Sequence, residues 1–208
     1  MQFEFTEDQR LLQQTVRDFL VGECPVAFVR GQWETPTGRS KEFWAKLAEV
    51  GVPGLLVPES MGGLGMNEID FVLVLVEVGR AALAEPVVPT AVVGVPLLRE
   101  AGERSAAAAK IANEWLPKVA AGEALLAVAQ PSSPLVPDAH VADLLILSDG
   151  ATHPAIGDFR LACELFDGHD EDAVAAARQR WQVYKQAGHA LTYFQQNDAG
   201  KWEEKARA

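Results

Sequence analysis

Apolar residues recur at helical spacing through the first half of the chain. Leu11, Leu12, Val16, Phe19 and Leu20 fall on one face. Ahead of them Thr6-Glu7-Asp8-Gln9 forms a capping box, in which a threonine hydroxyl and a glutamine three residues on satisfy the first free amides of a helix. A loop rich in Gly, Thr and Pro, Gly31 to Gly38, separates this helix from a second one. That helix is capped by Ser40, carries Phe43, Trp44, Leu47 and Ala48 as its stripe, and stops at Gly51 and Pro53. After Gly54-Leu55-Leu56-Val57-Pro58-Glu59 and the glycine-dense loop Met61-Gly62-Gly63-Leu64-Gly65, Asn67 caps a third helix. It runs through Phe71, Leu75 and Val78 to Arg80, and being apolar nearly all round it is expected to lie buried in a bundle. Two further helices are expected near Val87 to Ala101 and Ala106 to Ala120. Together these helices predict an antiparallel bundle over residues 3 to 120, with Leu12, Val16, Phe19, Phe43, Leu47, Phe71 and Leu75 in one core.

From Ala124 the pattern shortens. Leu125 to Ala129 and Val141 to Leu147 are brief apolar runs divided by Pro131, Pro134 and Pro137, as strands and turns require. After Gly150 it changes again: Arg160 to Phe166 reads as a strand, Asp170 to Gln186 as a helix ended by Gly188, and Ala190 to Gln195 as a second strand, a small βαβ-like unit. The fold class is therefore mainly α, in three parts: a helical domain at 1–123, a β element at 124–150 and a small α/β unit at 151–208. Gly, Pro and His between Gly150 and Gly157 suit a flexible link. The strands at Leu125 to Leu147 either pair across that link with Arg160 to Phe166 and Ala190 to Gln195 or stay exposed and drive self-association, and we expect separate cores.

Composition narrows the function. A chain of 208 residues, 49% hydrophobic, can bury a sizeable core, and an apolar run such as Phe71 to Val76 is far too short to span a bilayer. Met1 opens an acidic segment, not a basic apolar leader, so a cytoplasmic location with no membrane partner is expected. The net charge of −11 argues against direct contact with a nucleic-acid backbone. The surplus acid lies in residues 1–150, with 11 Lys and Arg against 20 Asp and Glu. Cys24 and Cys163 belong to no ligand cluster, and His140, His153, His169 and His189 share no ligand spacing, so no metal is expected. Three features allow two readings each. The Gly62 to Gly65 loop either cradles a phosphate with free amides or is a structural turn. Glu77, inside an apolar helix, is either a catalytic carboxylate or a paired one. Trp181, Tyr184 and Trp202 with Arg178, Arg180 and Lys185 either form a basic-aromatic binding surface or, for Val174, Ala177, Trp181 and Tyr184, the core face of a helix.

The pieces acquire a family meaning in sequence order. Phe5-Thr6-Glu7-Asp8-Gln9, Phe43-Trp44 through Gly51, Val57-Pro58-Glu59, Gly62-Gly63-Leu64-Gly65, Glu77-Val78-Gly79-Arg80-Ala81 and Trp115-Leu116-Pro117-Lys118-Val119-Ala120-Ala121-Gly122-Glu123 resemble the N-terminal domain of acyl-CoA dehydrogenases. The likeness covers residues 3 to about 148. It implies a flavoprotein of fatty acid or steroid catabolism that uses FAD to desaturate an acyl-CoA, a carboxylate taking the α proton. It also implies homo- or hetero-oligomers with other subunits of the family. Where that family has a flavin-contacting Thr-Glu-Pro, this chain has Ala129-Gln130-Pro131-Ser132-Ser133, so Ala129, Gln130, Pro131 and Ser132 are the candidate cofactor-binding residues. Alanine lacks the hydroxyl that threonine donates. No residue matches the motif of the catalytic glutamate, which the family carries in a later helical bundle, so no catalytic residue is assigned and an incomplete or accessory chain, inactive alone, is expected.

A second resemblance begins near Ile156. Leu165-Phe166-Asp167-Gly168, Asp170 through Arg178, Trp181, Tyr184-Lys185, Ala187-Gly188-His189, Tyr193-Phe194-Gln195-Gln196, Gly200-Lys201-Trp202-Glu203 and Lys205-Ala206 are similar to the end of the chi subunit of DNA polymerase III. This implies the alternative function, a non-catalytic interaction module that binds a replication partner through the tail of a single-strand-binding protein.

Overall fold

A computed structural model describes residues 4–133, 135–197 and 202–208. Met1, Pro134, Gly200 and Lys201, which entered the reading above, lie outside the described residues. Among the described residues there are seven α-helices and five strands: α1 Glu7–Glu23, α2 Val26–Gln32, α3 Lys41–Glu49, α4 Glu68–Arg80, α5 Val95–Arg104, α6 Ala106–Ala120, β1 Leu126–Ala129, β2 Leu144–Ser148, β3 Leu161–Leu165, α7 Glu171–Gln186, β4 Thr192–Gln196 and β5 Trp202–Arg207. The fold is mainly α, as expected. Helix α2 extends into the stretch read as loop, and a π-helical segment, Val88–Gly94, precedes α5.

The starts of α1 and α4 are set by side chains. Thr6 Oγ1 accepts the Gln9 amide at 3.2 Å while Gln9 Oε1 accepts the Thr6 amide at 2.9 Å. Asn67 and Asp70 repeat the arrangement at α4. Gln9 Nε2 then donates to Asp70 Oδ1 at 2.7 Å, and Gln13 Nε2 donates to Glu77 at 2.6 Å. Contacts that advance together along both helices make α1 and α4 run in the same direction, so the bundle is not antiparallel at this pair. Helices α5 and α6 do form an antiparallel hairpin, turning at Ser105, whose Oγ accepts the Ala108 amide.

The main core gathers Val16, Phe43, Leu47, Phe71, Trp115 and Leu116, with Leu12, Phe19 and Leu75 half-buried against it, so all seven expected core residues belong to one cluster. Leu11 is the exception on its helix face and is exposed. Helix α4 is not buried all round, since Ile69, Val72 and Val76 form an exposed stripe opposite Phe71, Val74 and Val78.

Strands β1, β2 and β3 form one parallel sheet in that order, with Leu126 opposite Leu144 and Leu144 opposite Leu161. Its faces alternate with period two. Leu126, Leu144 and Ile146, joined by Leu161, Cys163 and Leu165, lie on the helical core. Ala127, Ala129, Leu145 and Leu147 face a second cluster, covered by Val136, Ala142, Ala151, Ile156 and Phe159 from the two crossovers, 130–143 and 149–160. Separate cores about a flexible junction are thus corrected: β3 pairs with β2 and completes the first fragment's sheet. A covered face and an unpaired edge stabilise this pairing more than a self-contained C-terminal unit would gain. The order strand–helix–strand holds at 161–196, but β3 and β4 lie in different sheets, because β4 pairs antiparallel with β5, a strand missed in the sequence. The hairpin is tied back to the helices where the Trp202 indole donates to the Arg104 carbonyl at 2.7 Å.

The edge of β1 is closed from the π-helical segment. Thr90 Oγ1 both donates to the Leu126 carbonyl and accepts its amide, each at 3.1 Å, and is fully buried. A Cβ at Gly94 would sit 2.8 Å from that of Leu126, so only glycine permits the approach.

Two stability measurements follow from this packing. Leu47→Ala, at a fully buried site, lowers the unfolding free energy by about 2–5 kcal/mol in urea titrations, and a loss under ~1 kcal/mol would show that the core is not packed as described. Thr90→Val keeps the shape but strands a buried amide and carbonyl, so it costs about 1–3 kcal/mol, and an unchanged midpoint would contradict the bridge.

Candidate functional site

The glycine loop is the first candidate, and its amides are all engaged. Gly63 donates to the Pro58 carbonyl, Leu64 to Gly54 at 3.0 Å, Gly65 to Val57 at 2.8 Å and Met66 to Leu55 at 3.0 Å. The segment folds back on 54–58, and a Cβ at Gly63 would lie 2.1 Å from the Val57 carbonyl oxygen. With the backbone donors taken, the loop is a structural turn and not a phosphate cradle. Its outer side borders a cleft of about 690 Å³ shared with Arg99, Glu100, Glu103 and Arg104. Arg99 is held there by Glu68 at 3.1 Å.

Glu77 is buried in α4, 2% exposed, and is a paired carboxylate. It receives Gln13 and sits 3.5 Å from Arg17 and 3.4 Å from Arg80. Burial of a charge requires such partners. Three donors on one carboxylate make it an anchor between α1 and α4, not a free base.

A second buried carboxylate, Glu85, was missed; its only signal is a lone acid between Leu83-Ala84 and the apolar run after Pro86. Glu85 accepts the Ser40 amide at 2.9 Å. Burial pushes its carboxyl above the usual value and the Asp138 charge adds to this, while the Ser40 amide and Arg39 oppose it. Arg39 is ion-paired to Asp138, on the first crossover. Cys24 nearby is buried and its thiol is raised by burial and by Glu85. Cys163 on β3 is pushed up to about 12 by burial, so neither free thiol is a ready nucleophile at neutral pH.

The candidate cofactor residues lie at the carboxyl end of β1. Ala129 is buried in the second cluster, opposite Leu147, and its carbonyl accepts the Ser148 hydroxyl at 3.1 Å. Gln130, Pro131 and Ser132 are exposed on a turn closed by the Ser133 amide on the Gln130 carbonyl. A dinucleotide needs a concave, largely apolar site with convergent donors. This turn offers an exposed rim with one amide side chain and one hydroxyl, and the alanine methyl points away, so the four residues by themselves do not fit FAD.

The remaining candidates separate in space. His140 Nε2 donates to the Thr37 carbonyl at 3.0 Å, and the described residues contain no cluster able to hold a metal. Val174, Ala177, Trp181 and Tyr184 share a half-buried helix face, while no residue of α7 is fully buried. Arg180 of the basic set is engaged, its Nε 2.8 Å from Glu164. Beside it a cleft of about 500 Å³ opens between α7 and Thr152-His153-Pro154. No helix among the described residues is long and apolar enough to cross a membrane.

Residues 110–192 match the model of the DNA polymerase III chi subunit. That match starts earlier than Ile156, inside α6, takes in the whole parallel sheet and α7, and ends before β5. Acyl-CoA dehydrogenase IpdE2 of Mycobacterium tuberculosis is 29% identical over 141 residues, covering 67% of this chain and 42% of that protein. The IpdE2 of Mycolicibacterium smegmatis is 30% identical over 152 residues, covering 71% and 44%. The chain thus spans less than half the length of these relatives. The ChsE4-ChsE5 complex from Mycobacterium tuberculosis superposes with a TM-score of 0.54 at 26% identity, over 62% of this chain and 34% of that one. An acyl-CoA dehydrogenase from Bacillus anthracis complexed with FAD shares the fold, with a TM-score of 0.52 at 24% identity over 62% and 22%. The acyl-CoA dehydrogenase N-terminal domain model matches residues 6–123, α1 through the end of α6, and on that match the chain belongs to the acyl-CoA dehydrogenase family.

Proposed function

We propose that this chain supplies the helical half of a cytoplasmic, FAD-dependent acyl-CoA dehydrogenase and acts only with a partner subunit of the same family. The supporting observation is that the buried carboxylates of the helical part, Glu77 and Glu85, are engaged by Arg17, Arg80, Gln13 and the Ser40 amide, and line neither cleft. α,β-Desaturation needs a base within hydrogen-bond reach of the α proton, and neither of these two buried carboxylates is free to be one. The partner would bring that base and most of the flavin surface, with Gln130, Pro131 and Ser132 at its rim; the two-protein ChsE4-ChsE5 assembly is the kind of complex this implies. In this reading residues 1–123 are the helical functional unit, 124–150 begin the flavin-side sheet and 151–208 complete it. A second reading, an interaction module like the chi subunit that binds the tail of a single-strand-binding protein, draws on the match at 110–192.

The purified 208-residue chain is expected to show no flavin absorbance and no dye reduction with any acyl-CoA, a positioned base alone being worth roughly a hundredfold or more in rate. Turnover by the chain without a second subunit refutes the proposal. Bound flavin would count against the interaction-module reading.

A further inference from the structure

Three large apolar side chains of α4, Ile69, Val72 and Val76, face solvent at 65%, 44% and 45% exposure, and their spacing puts them in one stripe. Glu68 in the first turn and Gly79 and Arg80 in the last are exposed as well, and at 3.6 residues per turn all six positions share about a third of the helix circumference. Contiguous apolar surface with a polar rim marks a contact surface. The glycine adds a second mark. Gly79 does not end the helix, since the left-handed residue beyond α4 is Ala82, with φ 49°. A Cβ built on Gly79 meets no neighbouring atom of the described residues within 4 Å, so the chain's own packing does not call for glycine, which costs helix stability relative to alanine. What glycine supplies is a shallow hollow on the stripe, where a group from outside comes close to the backbone.

We propose that the stripe is covered by α4 of a second copy of this chain, packed antiparallel about a two-fold axis at the level of Val74. In that register Val72 lies beside Val76 of the second copy, Ile69 fills the hollow at its Gly79, and Glu68 meets its Arg80, each pair occurring twice. Glu68 and Arg80 stand six residues, about 9 Å, on either side of the centre, so one register matches both the charges and the hollow. The charges select the occupant. With an acidic first turn and a basic last turn, α4 is complementary to itself reversed, whereas a parallel copy sets like ends together. Glu68 and Arg80 have partners in their own chain, Arg99 at 3.1 Å and Glu77 at 3.4 Å, but both are more than half exposed, where ion pairs contribute little, so both can serve across the contact. A single pair of helices lies at the small end of specific interfaces, which sets the dissociation constant on the order of 10 µM. The contact rests on the face of α4 and not on the flavin reading, and it uses neither the sheet nor the turn at 130–132.

Sedimentation velocity of the full chain from about 1 to about 300 µM, in about 0.15 M salt so that charges not in contact are screened, tests it. A monomer–dimer equilibrium is expected. Gly79→Leu fills the hollow with a better helix former, and is expected to weaken dimerisation about tenfold or more while the melting temperature holds or rises. Glu68→Arg and Arg80→Glu are each expected to weaken it, because each sets like charges opposite one another. An equimolar mixture of those two chains is expected to recover the dimer, since both end pairs between unlike chains are again of opposite charge. Recovery on mixing also shows that each variant is folded. An unaltered chain that stays monomeric, Gly79→Leu dimerising as well as the unaltered chain, or a mixture no more dimeric than its components overturns the proposal. Flavin absorbance and dye reduction enter none of these readouts, so this contact and the functional reading fail separately.

Discussion

A parallel sheet with apolar residues on both faces cannot leave either face to water, and this constraint organises everything after α4. Leu126, Leu144 and Ile146 require the helices, and Ala127, Leu145 and Leu147 require the crossovers. Among the described residues neither crossover holds an α-helix; Val136, Ala142, Ile156 and Phe159 do the covering instead. The joint between helical and sheet parts is correspondingly close. Thr90 occupies the polar edge of β1 and Gly94 lets the backbone approach, so the π-helical widening falls where the chain must present both to one strand.

Polar groups inside the helical part follow a single logic. Each buried carboxylate has a distant partner that fixes one element against another: Glu77 joins α4 to α1 through Gln13 and Arg17, and Glu85 joins the segment after α4 to the start of α3. The linked capping boxes of α1 and α4 do the same at their N-termini. These groups build the scaffold of the family domain, each carboxylate being taken up in holding one element against another.

What was legible in the sequence was local. Thr6, Ser40 and Asn67 announce their helices because a cap and its amide are three residues apart. Met61 to Gly65 could be recognised as a turn because glycine tolerates backbone contact at any distance in sequence. Strand pairing was not legible: Arg160 to Phe166 carries no mark saying that its partner is Leu144 to Ser148 and not Ala190 to Gln195, since both choices satisfy the same alternation. The exposed stripe Ile69, Val72 and Val76 was misread because hydrophobicity alone does not report which face finds a neighbour. Among candidate residues, Glu77 stood as either a catalytic or a paired carboxylate until its partners Gln13, Arg17 and Arg80 decided it, and Arg39, Glu85 and Asp138 were invisible as neighbours because they come from three segments far apart in sequence.

Two of the ties described above close very long loops: Arg39 to Asp138 spans 99 residues and Trp202 to Arg104 spans 98. Contacts of that separation are made late, after the entropy of closing the loop has been offset by nearer contacts. The α5–α6 hairpin, one residue of turn between its helices, forms early by the same reasoning. On a ribosome the order is enforced by emergence, and α1 to α6 must wait for the strands that share their core. The interval in which this chain is most exposed to a chaperone or to another nascent chain is therefore set by the synthesis of residues 126 to 165, not by the folding of its helices.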